Sequence, residues 1–160
     1  MKYKVLTLTQ PWATLITIGA KRIETRSWRT NYRGPLLIHA AKGLGPVGGV
    51  DGLRDLCCTA PFVGALRPVA DMAEVDVDVL PRGAIVAVAR LRGCMSMPDD
   101  GSTGWKFNSD EWTITDQERA FGDYSLGRYA WLLDQVQALP EPIGAKGALG
   151  LWDWEGSIEV

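Results

Sequence analysis

Histidine is almost missing from these 160 residues. His39 is the only one, so no site built from several histidine ligands can form within the chain. Cysteine is scarce and odd in number. Cys57, Cys58 and Cys94 lack the C-x-x-C spacing of a zinc site and cannot form a disulfide framework, so they read as buried free thiols in a reducing compartment. No apolar run approaches the roughly 18–20 residues of a membrane span, and no membrane contact is expected. Met1-Lys2-Tyr3-Lys4 leads into an alternating segment without the apolar core of a signal peptide, which points to a cytoplasmic protein. No nucleophile elbow accompanies His39, and no P-loop is present.

The remaining composition, 46% hydrophobic and 22% charged, is that of one globular domain spanning residues 1–160. With 18 glycines and 9 prolines, many turns are expected. Net charge is only −2, yet it is uneven. Residues 1–42 carry eight basic side chains and one acid, Glu24, for a local charge of +7; the other 118 residues sum to −9. A basic region on a near-neutral domain suggests an anionic ligand, most often nucleic acid.

Along the chain, Tyr3–Thr9 alternates like a half-buried strand. Thr9 is then a candidate N-cap for a short helix with Pro11 in its first turn and Gly19 at its end. Leu36–Ala41 and Ala84–Leu91 are continuous apolar strands, as expected for strands buried on both faces. Tyr129–Leu139 and Leu149–Trp154 read as further strands. Gly43–Gly52, with five glycines and a proline, reads as a loop, followed by one or two helical turns over Leu53–Cys58. Met95–Asp110 reads as irregular, and Asp71, Glu74, Asp76 and Asp78 as a solvated acidic face. The whole suggests an α+β fold, a small, mixed, mostly antiparallel barrel-like sheet.

The densest chemistry lies in Gly19-Ala20-Lys21-Arg22-Ile23-Glu24-Thr25-Arg26-Ser27-Trp28. In extended conformation Arg22, Glu24 and Arg26 share one face, with Ile23 and Thr25 on the other. A lone carboxylate among cations orients them and leaves positive charge for a phosphate, while Trp28 stacks on a base. The competing reading is a surface ion-pair network with Trp28 in the core.

Gly19-x-Lys21-x-x-Glu24-x-Arg26 resembles the G-x-K-x-x-E-x-R signature of the ASCH domain, a branch of the PUA-like superfamily. Its surroundings agree: the Leu-Thr-Leu-Thr-Gln-Pro-Trp lead-in, Tyr32-Arg33-Gly34-Pro35 before the strand ending in His39-Ala40, and Trp131 followed by Pro140-Glu141-Pro142-Ile143. The resemblance implies a small PUA-like β-barrel with flanking helices and a basic cleft near the signature. It implies an RNA-linked role, with single-stranded RNA or a modified nucleoside as partner and DNA fitting the same chemistry. Some relatives are hydrolases, either ribonucleases using a divalent cation or an amidohydrolase acting on a modified pyrimidine nucleoside. The amidohydrolase branch has a threonine where this chain has Glu24, and Thr25 in an extended segment points to the opposite face.

By position, the resemblance makes Lys21, Glu24 and Arg26 cleft residues. Gln10 and Trp12 are candidates to line the same cleft, Gln10 on a base edge. Arg33 and Lys42 are candidate phosphate contacts, and His39 a candidate acid or base. Tyr124 and Arg128 would form one wall, stacking and contacting phosphate, and Lys146 approaches from the loop before the last strand. Binding requires no cofactor on this reading. In the hydrolase alternative Lys21 stabilises negative charge and Glu24 serves as general base or metal ligand, with Mg²⁺ or Mn²⁺ for a ribonuclease. A third alternative is a protein-interaction module using exposed tryptophans, which requires a large exposed apolar patch.

Overall fold

The N-terminal alternation becomes strand β1 (Lys2–Leu8) in a computed structural model that describes residues 1–69, 77–107 and 109–160. Helix α1 (Trp12–Thr17) follows, then β2 (Ile23–Arg26) and β3 (Gly34–Ala40). Helices α2 (Gly49–Cys58) and α3 (Phe62–Leu66) lead through a 3₁₀ turn at Val77–Val79 to β4 (Ala84–Ser96). A hairpin of β5 (Gly104–Phe107) and β6 (Asp110–Thr113) precedes helix α4 (Asp116–Phe121), β7 (Tyr129–Gly144) and β8 (Leu151–Glu155).

Six strands form one sheet in the order β2-β7-β4-β3-β1-β8. Only β1 and β3 run parallel, with Val5 opposite Leu37; the other pairs in this sheet are antiparallel. The protein is therefore α+β, mostly sheet with few helices. The β4–β7 ladder shifts register three times, between Ile85 and Ala87, Val88 and Arg90, and Leu91 and Gly93. Bulges of this kind bend a strand and increase its twist. Among the described residues no pairing joins the edges β2 and β8.

The apolar run of β3 has a direct physical cause, because both faces are covered. Leu36 and Ile38 pack with Leu6, Val86, Trp131 and Leu133, while Leu37 packs on the opposite face with Val5, Ile85 and Leu139. A third cluster joins Leu15 to Leu53, Cys57, Phe62, Leu66 and Phe121, tying α2, α3 and α4 to α1. A fourth joins Ile23 to Trp105, Trp112, Ala130 and Leu132. Trp105, Trp112 and Trp131 are buried and the other four tryptophans half-buried, so none offers the exposed surface an interaction module would need.

Several expectations shift. Helix α2 begins inside the run expected to be a loop, because Gly48 enters the left-handed region (φ +83) and starts it. Gly52 allows the close return of that helix onto the chain, since a Cβ there would sit 1.6 Å from the Val47 carbonyl oxygen. The stretch Met95–Asp110 is partly regular, holding the end of β4 and the strand β5. Strand β7 runs five residues beyond Leu139. Thr9 is not a side-chain cap for α1; the fully buried Gln10 takes that place, its Oε1 accepting from the Thr14 N–H at 3.1 Å. Cys57 and Cys94 are buried, whereas Cys58 is exposed. Of the acidic alternation only Asp78 is among the described residues, exposed and paired with Arg82 at 3.3 Å. Among the described residues no helix is long and apolar enough to cross a membrane.

Candidate nucleic-acid interface

The signature segment turns inward because Gly19 adopts φ +78 after α1 and the Lys21 N–H bonds back to the Leu15 carbonyl at 3.0 Å. Lys21 is thereby 1% exposed. Its Nζ donates to the carbonyl oxygens of Ile23 at 2.5 Å and Phe121 at 3.2 Å, and lies 3.8 Å from Glu24 Oε2. The two carbonyls take two of the ammonium's three donors, and Glu24 pairs with its charge at the longer distance. Lys21 thus sits behind the site as a brace between β2 and the end of α4.

In front of it lies a cleft of about 380 Å³ between the end of β1 (Leu8, Thr9), Trp12 of α1, Glu24, Thr25 and Arg26 of β2, and the segment from Ala120 to Asp123, with Arg128. Glu24 is 8% exposed, and among the described residues its Oε2 has no hydrogen-bond donor. Arg26 is half-buried, its guanidinium 5.9 Å from the Trp28 ring. Arg128 donates to the Thr25 carbonyl at 3.1 Å and lies 3.7 Å from Asp123. Asp123 is held below the usual carboxylate range by hydrogen bonds from Ser125. Thr25 is buried, and its Oγ1 accepts from the Asp123 N–H at 3.0 Å.

Helix α4, whose end lines this cleft, carries a buried acid that sequence reasoning passed over. Glu118 is 7% exposed; its Oε1 accepts from the Arg22 N–H at 2.5 Å, and among the described residues its Oε2 has no hydrogen-bond partner. Burial pushes its pKa up against the opposing effect of the Arg22 N–H and the Lys21 charge. The buried Tyr124 hydroxyl is raised far above an ordinary phenol, by burial first and then by the Glu118 and Glu24 charges. A signal for this region was present in the sequence. Thr115-Asp116-Gln117-Glu118 has capping-box spacing, and Thr115 caps α4 by accepting from the Glu118 N–H at 3.1 Å.

The expected site residues do not gather into one cleft. Trp12, Glu24, Arg26 and Arg128 do. Gln10 is spent on structure, its Nε2 donating to the Pro81 carbonyl at 2.7 Å. Trp28 packs edge-on against Trp131, with ring centres 4.6 Å apart, and lies outside the cleft lining. Tyr124 packs with the Ile23 cluster. His39, Lys42 and Lys146 line a second, larger cleft of about 870 Å³. Arg33 lines a third of about 230 Å³ with Arg90, Arg92 and Phe107. The +7 charge of the first 42 residues is dispersed likewise. Lys2 and Lys4 pair with Asp153 across β1 and β8, and Arg22 stacks 4.5 Å over Trp112.

Gly43-Leu44-Gly45-Pro46-Val47-Gly48 has G-x-G-x-x-G spacing between β3 and α2, which corrects a reading of the sequence as free of that pattern. Strand β4 then returns antiparallel to β3, so this is not the parallel βαβ unit in which that spacing marks a dinucleotide site.

The family model for the ASCH domain matches residues 6–140. Activating signal cointegrator 1 from Mus musculus is 54% identical over 41 residues, covering 26% of this chain and 7% of that protein. The Homo sapiens protein of the same name is 54% identical over 35 residues, covering 22% of this chain and 6% of its own length. The match thus spans less than a tenth of either relative. With the family model covering most of the residues around this cleft, the chain belongs to the ASCH domain family.

Proposed function

We propose that the cleft in front of Lys21 binds a base of single-stranded RNA or of a modified nucleoside, with DNA fitting the same contacts. The observation that carries this reading is Glu24 Oε2, a buried acceptor without a donor among the described residues, in the wall of a cleft of about 380 Å³. A carboxylate in that position accepts from an exocyclic amine such as that of cytosine. Trp12 offers a stacking face, and Arg26 and Arg128 offer charge to a neighbouring phosphate. Membership of the ASCH family and the bulged, bent sheet support a PUA-like barrel as the frame.

Titration of the labelled protein with cytidine, uridine and a short single-stranded RNA tests this. Cytidine should bind in preference to uridine, and Glu24→Ala should weaken it by about 1–3 kcal/mol, which is the value of one base-edge contact. Equal binding of the two nucleosides, unaffected by Glu24→Ala, overturns the reading.

A hydrolase is the second reading, favoured by the same orphan oxygen with Lys21 behind it at 3.8 Å. Glu24 then takes a proton from an attacking water, and Lys21 acts through Glu24 because its ammonium is enclosed. No step is assigned to a divalent cation. The nearest partner of Glu24 is an ammonium, and among the described residues no three His, Cys, Asp or Glu side chains converge. Release of acetate from N4-acetylcytidine, or shortening of RNA, by the wild type but not by Glu24→Gln would establish this reading. No product with either substrate removes it.

A further inference from the structure

The larger cleft lies on the far side of the end of β1 from the first. Thr7 lines one, while Leu8 and Thr9 line the other. Two residues of extended chain, about 7 Å, separate Thr7 from Thr9. The wall between the clefts is a single strand end, tied to β3 by the Ala41 N–H bonding to the Leu8 carbonyl at 2.8 Å. Glycine also borders it: a Cβ at Gly45 would lie 2.9 Å from Thr9 Cγ2, so the Gly43–Gly48 loop runs close against this wall.

The chemistry of the two clefts differs in a useful way. In the first, Arg128 is already held by Asp123 and the Thr25 carbonyl. In the second, Lys42 and Lys146 are exposed, and neither is in an ion pair among the described residues. Between them are the backbones of Gly83, Gly144 and Gly147, and beside them Leu149, 99% exposed. His39 forms the inner wall. Its Nε2 lies 2.9 Å from the Ala145 carbonyl, which can only accept, and among the described residues its buried Nδ1 has no partner. Gly147 lies directly over this ring, since a Cβ there would be 2.7 Å from His39 Cε1.

We propose that the second cleft takes the neighbouring nucleotide of the same strand, with its phosphates held by Lys42 and Lys146. The ligand is then a single-stranded oligonucleotide straddling the end of β1. This rests on the base-binding reading of the first cleft. A free nucleoside has no phosphate to offer two unpaired lysines, whereas a strand with one base against Glu24 carries phosphates that reach them by crossing the end of β1.

The test compares cytidine with a short oligocytidylate, reading the Trp12 indole and the His39 imidazole by NMR. His39 is the only histidine, so its signals report on the second cleft directly. Cytidine should move Trp12 alone. The oligonucleotide should move both and bind at least about tenfold more tightly, the gain expected when a second contact becomes intramolecular. The Lys42→Ala, Lys146→Ala double variant should abolish that gain and lower the log–log salt slope by about 1.4, roughly 0.7 for each lost phosphate contact, without changing cytidine binding. Lys106→Ala, on the β5–β6 hairpin, should leave all of these unchanged. An oligonucleotide that binds no better than cytidine, leaves His39 unmoved, or is indifferent to the double variant overturns the inference while cytidine still moves Trp12. If neither ligand moves Trp12, the base-binding reading falls, and this one with it.

Discussion

Lys21→Met separates a buried brace from a ligand-contacting cation. The substitution keeps most of the aliphatic stem and removes the ammonium that joins Ile23 of β2, Phe121 of α4 and Glu24. Lys21 is 1% and Glu24 10% exposed at the side chain, so solvent replaces little of what is lost. Removing one partner of a buried pair costs about 3–5 kcal/mol, because the other charge stays buried and unpaired. For a chain of this length about 1 kcal/mol corresponds to roughly 2–4 °C, which places the fall in melting temperature between about 6 and 20 °C. Thermal unfolding followed by circular dichroism measures it. The Lys21→Met, Glu24→Met double variant should recover part of the loss, since an apolar pair leaves no orphan charge, and the resulting coupling should be about 0.5–3 kcal/mol. A cation that only faced a ligand would give the opposite pattern, lost binding with an unchanged melting temperature. A fall of less than about 2 °C for Lys21→Met refutes the brace.

Glu118 supplies a pH prediction. Its folded-state pKa is raised by burial, so its stabilising contribution is present below the unfolded value and is lost as pH rises through the folded one. Glu118→Gln, which keeps the acceptor for the Arg22 N–H, should therefore be more stable than the wild type at pH 7. The gap should close toward pH 4.5; a gap in urea unfolding that does not change with pH counts against this. Gly147→Ala should lower stability by about 1–3 kcal/mol, because its Cβ would press into His39, and differential scanning calorimetry reads the loss. Gly122→Ala should weaken cytidine binding, as its Cβ would meet Tyr124 Cε2 at 3.0 Å and Thr25 Oγ1 at 3.1 Å in the cleft wall; unchanged affinity would show that this wall is not used. One equivalent of maleimide should label Cys58 before unfolding, leaving Cys94 and Cys57, whose burial pushes its thiol up to about 11. Mass spectrometry that finds Cys57 modified first would contradict the packing of α2.

The strands with one clear period were readable from sequence. β1 alternates because one of its faces is partly open, while β3 and β4 are continuous because both faces are covered. Misread elements had their signals masked by local chemistry. Glycines at 48, 49 and 52 read as a loop, yet they start α2 and let it pass within contact of Val47, while Leu53 and Cys57, four residues apart, bury its apolar face. Helix α4 is six residues long, too short for a periodic pattern, and its capping box was its only mark. The order of strands in the sheet has no local signal, because β2 reaches its partner β7 across more than a hundred residues.

The same distinction governs the site. A spacing such as G-x-K-x-x-E-x-R states which residues are near in the chain, and of these Glu24 and Arg26 line one cleft while Lys21 is enclosed behind it. It does not state which way each side chain faces. Lys21 is adjacent in sequence to Arg22, but one is enclosed by carbonyls while the other lies on Trp112. Both partners come from far along the chain: α4 brings the Phe121 carbonyl to the Lys21 ammonium, and β6 brings Trp112 under the Arg22 guanidinium. Charge counting fails for the same reason. Eight basic residues in the first 42 suggest one basic cleft, but β1 ends between two clefts and β3 begins near a third, so the strand directions distribute them. On the proposed reading a ligand that uses both clefts is extended and multiply charged, because the cations Lys42 and Lys146 and the orphan acceptor Glu24 lie on different sides of one strand end.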